Sequence, residues 1–95
     1  MKVKIKRIDK TLPLPIYETN GSVGFDLIAR ENIDIAAKKV SMIPANIIVE
    51  VPVEYMLIVA SRSSTPIKKG LQPPHGFGII DHDYCGPNDE IRVLV

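Results

Sequence analysis

Proline and glycine interrupt this chain too often for it to build long helices. Eight prolines and six glycines are scattered through 95 residues, and each stops or bends a helical run. What survives between them is short and β-branched. Lys2 to Ile8 alternates, with Val3 and Ile5 facing in and Lys4 and Lys6 facing out, the period of a half-buried strand whose lysines blunt an edge. Further short strands are expected at Val23 to Ala29, Ile33 to Ile35, Val40 to Ile43, Ile47 to Val51, Tyr55 to Ala60, Ile79-Ile80 and Glu90 to Val95. Thr11 to Pro15 reads as an extended connector, Asn20-Gly21-Ser22 as a turn, and Ser61 to Gly70 as a loop or one short helical turn. Leu71 to Gly78, with Pro73-Pro74 and two glycines, suits an irregular hairpin. Many short strands without an amphipathic helix predict an all-β sandwich or barrel. No repeat or linker divides the chain, so one domain over 1–95 is expected.

Charge narrows the function classes. The net charge of +1 supplies no basic field for nucleic acid, and no nucleic-acid partner is expected. No apolar run approaches the ~20 residues of a membrane helix, and the alternating N-terminus is unlike a signal peptide. The expectation is therefore a cytoplasmic protein with no membrane partner. A single cysteine, Cys85, makes no intrachain disulfide, fits a reducing compartment and reads as an incidental thiol.

Three stretches carry residue types suited to chemistry. In Gly78-Ile79-Ile80-Asp81-His82-Asp83-Tyr84-Cys85-Gly86, a strand continuing through Asp83 would put Asp81 and Asp83 on one face and His82 on the other. Adjacent carboxylates repel unless a proton or metal lies between them, which is how general bases and metal sites are built. The plainer reading is a polar turn after a strand. Ser61-Arg62-Ser63-Ser64-Thr65 offers a guanidinium fork and hydroxyls to phosphate oxygens, without the glycine spacing of a Walker loop. The alternative is a solvated loop. Asp26, between Phe25 and Leu27, is either a buried carboxylate paired with Arg62 or one that holds a divalent cation through water. His75 has no partner at zinc-ligand spacing and reads as a loop or ligand-contacting position.

Taken in order, these stretches resemble the trimeric deoxyuridine triphosphatases (dUTPases). Gly21 to Leu27 resembles motif 1 of that family, Arg62-Ser63-Ser64 followed by Lys68-Lys69-Gly70 motif 2, and Gly78 to Gly86 motif 3. Val3 to Arg7, Leu12 to Tyr17, and Ile43-Pro44 leading to Val49 to Pro52 extend the resemblance over essentially the whole chain. It implies a jelly-roll (β-clip) subunit, incomplete at its C-terminus, that assembles as a homotrimer with sites between subunits. It implies hydrolysis of dUTP to dUMP and pyrophosphate with Mg²⁺. Asp81 would activate the attacking water, and Tyr84 would pack on the deoxyribose and exclude a 2′-hydroxyl. The hairpin from Leu71 to Ile80, including His75, Gly76 and Ile80, would hold uracil through backbone groups. Arg62, Ser63 and Ser64 would contact phosphate oxygens, and Asp26 would help hold hydrated Mg²⁺.

The chain departs from the family pattern in several places. Motif 4, motif 5 and the exchanged C-terminal arm do not follow Val95, so weak or absent turnover is expected, as is a final strand with an unpaired edge or an exposed apolar face. Ser61 stands where proline often precedes the arginine, Asn46 where glycine is usual, and His75 where asparagine is common. Pro87-Asn88-Asp89 lengthens the turn after motif 3. A dCTP deaminase shares the fold and the Arg-Ser-Ser motif, but its motif 3 runs Ile-Asp-Pro-Gly-Trp. The other rival is a non-catalytic nucleotide-binding module.

Overall fold

Three antiparallel strand pairs make up the regular structure of the computed structural model, which describes residues 1–95. The elements are β1 (Lys4–Arg7), β2 (Met42–Pro44), β3 (Ile47–Glu50), β4 (Leu57–Ala60), a five-residue helix α1 (Thr65–Lys69), β5 (Phe77–Ile80) and β6 (Arg92–Leu94). β1 pairs with β3, β2 with β6, and β4 with β5. The protein is all-β, as the punctuation by proline and glycine predicts. No helix is long and apolar enough to cross a membrane.

β3 is the centre of the molecule. Ile47, Ile48 and Val49 are buried in succession, so the strand is covered on both faces, which suits a continuous β-branched run. Ala45, Ile47, Val49, Val51 and Ile91 form the buried cluster, and Ile5, Phe25, Leu27, Leu57, Val59, Ile80 and Val93 pack around it. Backbone bonds tie the far end of the chain into this centre. The Ala45 N–H donates to the Ile91 carbonyl at 2.9 Å, and the Ile91 N–H donates to the Ile47 carbonyl at 2.9 Å.

Several expectations need correction. Val23 to Ala29 and Ile33 to Ile35 form no strand. Val23 is fully exposed, while Phe25 and Leu27 pack against the core from irregular backbone. Val3 is also exposed, although Ile5 does face the core. The last strand pairs on one side only: Met42 faces Leu94, Ile43 faces Val93 and Pro44 faces Arg92, and no strand lies along its other edge in this two-stranded sheet, in line with the expected unpaired edge. Ser41 and Val95 add two further backbone bonds.

The turn from β2 to β3 depends on Asn46, which sits in the left-handed region at φ 70°. Asparagine tolerates this region better than most residues. It also does something glycine cannot. Its Oδ1 accepts the Asp9 N–H at 2.6 Å and its Nδ2 donates to the Asp9 carbonyl at 3.1 Å. The side chain thereby clamps the segment after β1. Asn46→Gly relieves less than ~1 kcal/mol of left-handed strain but removes two bonds worth ~0.5–1.5 kcal/mol each. A net loss of about 1 kcal/mol is expected in urea denaturation.

Candidate functional site

The β4–β5 hairpin carries the residues that the motifs single out, but at its two ends. In its register Leu57 faces Ile80 and Ala60 faces Phe77. Arg62, Ser63 and Ser64 follow β4 at the Ala60 end. Asp81 follows β5 at the Leu57 end. The three steps of ladder between them span about 10 Å.

At the Ala60 end, Arg62 Nη1 donates to Asp26 Oδ2 at 3.1 Å. The pairing of these two residues holds, but not their burial: the side chains are 69% and 46% exposed. Asp26 lies in the irregular stretch after Gly24, outside any strand, so it does not need a partner to be soluble. An exposed pair of this kind adds little stability. It leaves both groups open to a ligand.

The Arg62 loop runs directly into α1. The Thr65 N–H donates to the Arg62 carbonyl at 3.0 Å, and the Lys68 N–H to the Ser64 carbonyl at 2.8 Å. Ser64 stands at the N-cap with no side-chain cap bond. Pro66 occupies the first turn, where its missing N–H costs nothing. Gly70 ends the helix at φ 62°, in the left-handed conformation usual for that position. His75 and Gly76 lie in the turn before β5, on this same end of the hairpin. Gly76 takes φ 79°, and the His75 imidazole folds over Gly78, where a Cβ would meet its Nε2 at 3.6 Å.

At the Leu57 end, the extended reading of Asp81 to Asp83 fails. β5 stops at Ile80, and the Tyr84 N–H donates to the Asp81 carbonyl at 3.1 Å. The chain turns at once, so the two-residue alternation does not extend to Asp83. Asp83 and His82 line an open cavity of about 470 Å³ with Lys2, Lys4 and Glu50. Asp81 does not line that cavity and is exposed. Ile80 packs on the core, which leaves only its backbone for a ligand. Tyr84 is partly exposed, and its hydroxyl donates to the Glu90 carbonyl at 3.2 Å.

Glu90 and Arg30 form a second polar centre, which no motif marks. Glu90 is 5% exposed. Its Oε2 accepts Arg30 Nε at 2.7 Å and the Asn46 N–H at 2.9 Å, and its Oε1 accepts Arg30 Nη2 at 3.2 Å. Burial pushes the Glu90 pKa up, but the Arg30 and Asn46 bonds outweigh it and hold the carboxyl below its ordinary value. The same bond to Glu90 raises the Arg30 pKa against the opposing effect of burial. Sixty residues separate the partners, so no spacing rule finds them. The available signal was a charge at the edge of each apolar run.

Cys85 fits the plain reading. Burial, then the nearby Glu50 carboxylate, pushes its thiol up, which leaves little thiolate at neutral pH. Alkylation by iodoacetamide is expected to be slower in the native chain than in urea, and an equal rate would contradict this.

No three His, Cys, Asp or Glu side chains converge as a ready-made metal cage. Arg62 engages one oxygen of Asp26, and the half-exposed carboxylate remains open to water. This donor set fits Mg²⁺ that keeps most of its waters and is shared with ligand phosphates.

Comparison with known proteins bears on the same residues. The dUTPase family model matches residues 10–95. A deoxyuridine 5′-triphosphate nucleotidohydrolase of Helicobacter pylori (strain P12) is 35% identical over all of this chain and 63% of its own length. One from Orientia tsutsugamushi (strain Ikeda) is 37% identical over all of this chain and 66% of its own length. The chain thus spans slightly less than two thirds of these relatives. A crystal structure of dUTPase from Streptococcus mutans superposes with a TM-score of 0.86 at 33% identity, covering 95% of this chain and 75% of that one. A mutant dUTPase from phage phi11 of S. aureus, described with a structural Mg(II) ion, superposes equally well, with a TM-score of 0.86 over 99% of this chain and 58% of that one. At 19% identity it supports the fold alone. With one family matched from Lys10 to the last residue, and its motifs on the two ends of one hairpin, this chain belongs to the dUTPase family.

Proposed function

We propose that residues 1–95 form one dUTPase-like domain that takes part in the hydrolysis of dUTP to dUMP and pyrophosphate in the cytoplasm. The observation that carries this reading is the family match over residues 10–95, with the Asp26–Arg62 pair and the Asp81–Tyr84 turn both presented to solvent. Arg62, Ser63 and Ser64 grip phosphate oxygens, the guanidinium as a planar fork and the hydroxyls as adjustable donors. Uracil is held by backbone groups of the segment with His75, Gly76 and Ile80. The Tyr84 ring packs on the deoxyribose and leaves no room for a 2′-hydroxyl. Asp81 accepts a proton from the water that adds to the α-phosphorus as the bond to pyrophosphate breaks. Asp26 would hold hydrated Mg²⁺, which when bound neutralises phosphate charge and polarises the phosphorus centre.

Separation of the two half-sites along the hairpin favours a site completed between chains. One copy does not juxtapose Arg62 and Asp81. The outer face of the same hairpin is apolar and open: Ile58 and Ile79, paired across it, are 54% and 56% exposed, and Met56 and Phe77 are exposed beside them. A homotrimer would cover such a face and bring the half-sites of neighbouring copies together.

Incubation of dUTP with the chain and Mg²⁺ is expected to release dUMP and pyrophosphate in equal amounts but slowly, in keeping with the weak turnover expected of residues 1–95, read by phosphorus NMR. Binding of dUMP without pyrophosphate release would support the non-catalytic module. Ammonia release from dCTP would point to the deaminase. The absence of both binding and turnover would overturn the proposal.

A further inference from the structure

The loop from Tyr84 to Ile91 is closed on itself and bolted to the core at its end, through Glu90 and Ile91. Gly86 N–H donates to Asp89 Oδ2 at 2.9 Å, and Asp89 N–H returns to the Gly86 carbonyl at 3.1 Å. A Cβ on Gly86 would stand 3.1 Å from that Asp89 oxygen, so a larger residue would push the carboxylate back by a few tenths of an ångström. The loop ends at Glu90, whose carbonyl receives the Tyr84 hydroxyl at 3.2 Å. The side chain of the same residue is buried against Arg30 and the Asn46 N–H. One residue therefore joins a partly exposed aromatic ring to the buried polar centre.

We propose that Glu90, held by Arg30, is a positioning residue for Tyr84: their buried ion pair sets the carbonyl that tethers the tyrosine hydroxyl, and so sets where the ring stands. This rests on the reading of Tyr84 as the sugar-facing ring. A phenol free at its hydroxyl can swing about two side-chain torsions. A phenol tied at both ends presents a fixed wall, and a fixed wall rejects an added hydroxyl more sharply than a yielding one. Glu90 touches no substrate in this account. It acts on selectivity between deoxyribose and ribose through Tyr84. The Glu90 backbone leads directly into Ile91, which is bonded to Ala45 in the β2–β3 turn and to Ile47 in β3, so the tether has a rigid base.

The test uses the full chain, with dUMP and UMP as probes in titration calorimetry. Glu90→Gln and Tyr84→Phe are each expected to reduce the preference for dUMP over UMP by about tenfold, the scale of one lost hydrogen bond. The double variant is expected to lose no more than either single one, because both changes cut one connection. Tyrosine ring signals in carbon-edited NMR supply a readout that needs no nucleotide. Those of Tyr84, identified by their loss in Tyr84→Phe, are expected to move in Glu90→Gln, while those of Tyr17 and Tyr55 stay. An unchanged preference in both single variants, or additive losses in the double, would overturn the positioning role. So would unmoved Tyr84 signals. If Glu90→Gln does not fold, Tyr84→Phe, which keeps the ion pair, decides by its loss or retention of preference. A wild-type chain that binds dUMP and UMP equally overturns the sugar-facing reading of Tyr84 itself, a result distinct from any of these.

Discussion

Asp81→Asn is expected to slow pyrophosphate release from dUTP by about 10²–10⁴-fold, the usual contribution of a positioned general base. Binding of dUMP is expected to change by less than about threefold, because the amide keeps the size of the carboxylate and loses only its basicity. The structure makes this substitution a clean one. Asp81 is exposed, and its carbonyl, not its carboxylate, closes the turn to Tyr84. The side chain holds nothing in place, so its loss should leave the melting temperature unchanged. Parallel rates of wild type and variant in a pyrophosphate assay would remove Asp81 from the chemistry. Asp83→Asn, on the cavity with His82 and Lys4, is the matched control and is expected to retain turnover.

The largest effect on stability is expected from Glu90→Ala. It removes three hydrogen bonds at 2.7, 2.9 and 3.2 Å and leaves the buried N–H of Asn46 without a partner. Removing one member of a buried ion pair costs about 3–5 kcal/mol. Arg30 is partly exposed and can regain some water, which places the expected loss near ~3 kcal/mol. Urea denaturation followed by circular dichroism measures it, and a loss below ~1 kcal/mol would show that the ion pair adds little.

The same contact gives a pH dependence of definite sign. The folded Glu90 pKa lies below its ordinary value, so between the two values the unfolded chain binds more protons. The stabilisation is complete above the unfolded value of about 4.3. It fades as pH falls through the lower, folded value. Asp9 contributes in the same direction, because its bonds from Thr11 also hold its pKa down. The difference in urea midpoint between wild type and Glu90→Gln isolates Glu90. It should be constant near neutrality and shrink below about pH 4.

Particular residues show how far the sequence could be read. The β-branched runs Ile47-Ile48-Val49 and Ile79-Ile80 became β3 and β5, because side chains branched at Cβ suit a pleated, half-buried surface. Pro66 and Gly70 bracketed α1 for reasons local to the chain. Val23 to Ala29 misled: Phe25 and Leu27 do pack on the core, but the segment finds no partner strand to bond with. The Asp26–Arg62 pairing was open to a sequence argument, whereas its exposure was not. Alternation put Asp81 and Asp83 on one face, and a single backbone bond from Tyr84 to Asp81 undid it. Arg30 and Glu90 were passed over because each is an ordinary charge in its own neighbourhood.

The sequence by itself determined the all-β class, the family and the identity of the chemically suited side chains, because these depend on local conformational preference and residue type. Tertiary structure alone decided that Arg62 and Asp81 stand at opposite ends of one hairpin, that β6 finds its partner in β2, and that Glu90 reaches Arg30 and Asn46. The physical reason is that strand register and buried charge pairing are settled by contacts between segments as many as sixty residues apart, and spacing along the chain carries no information about such contacts.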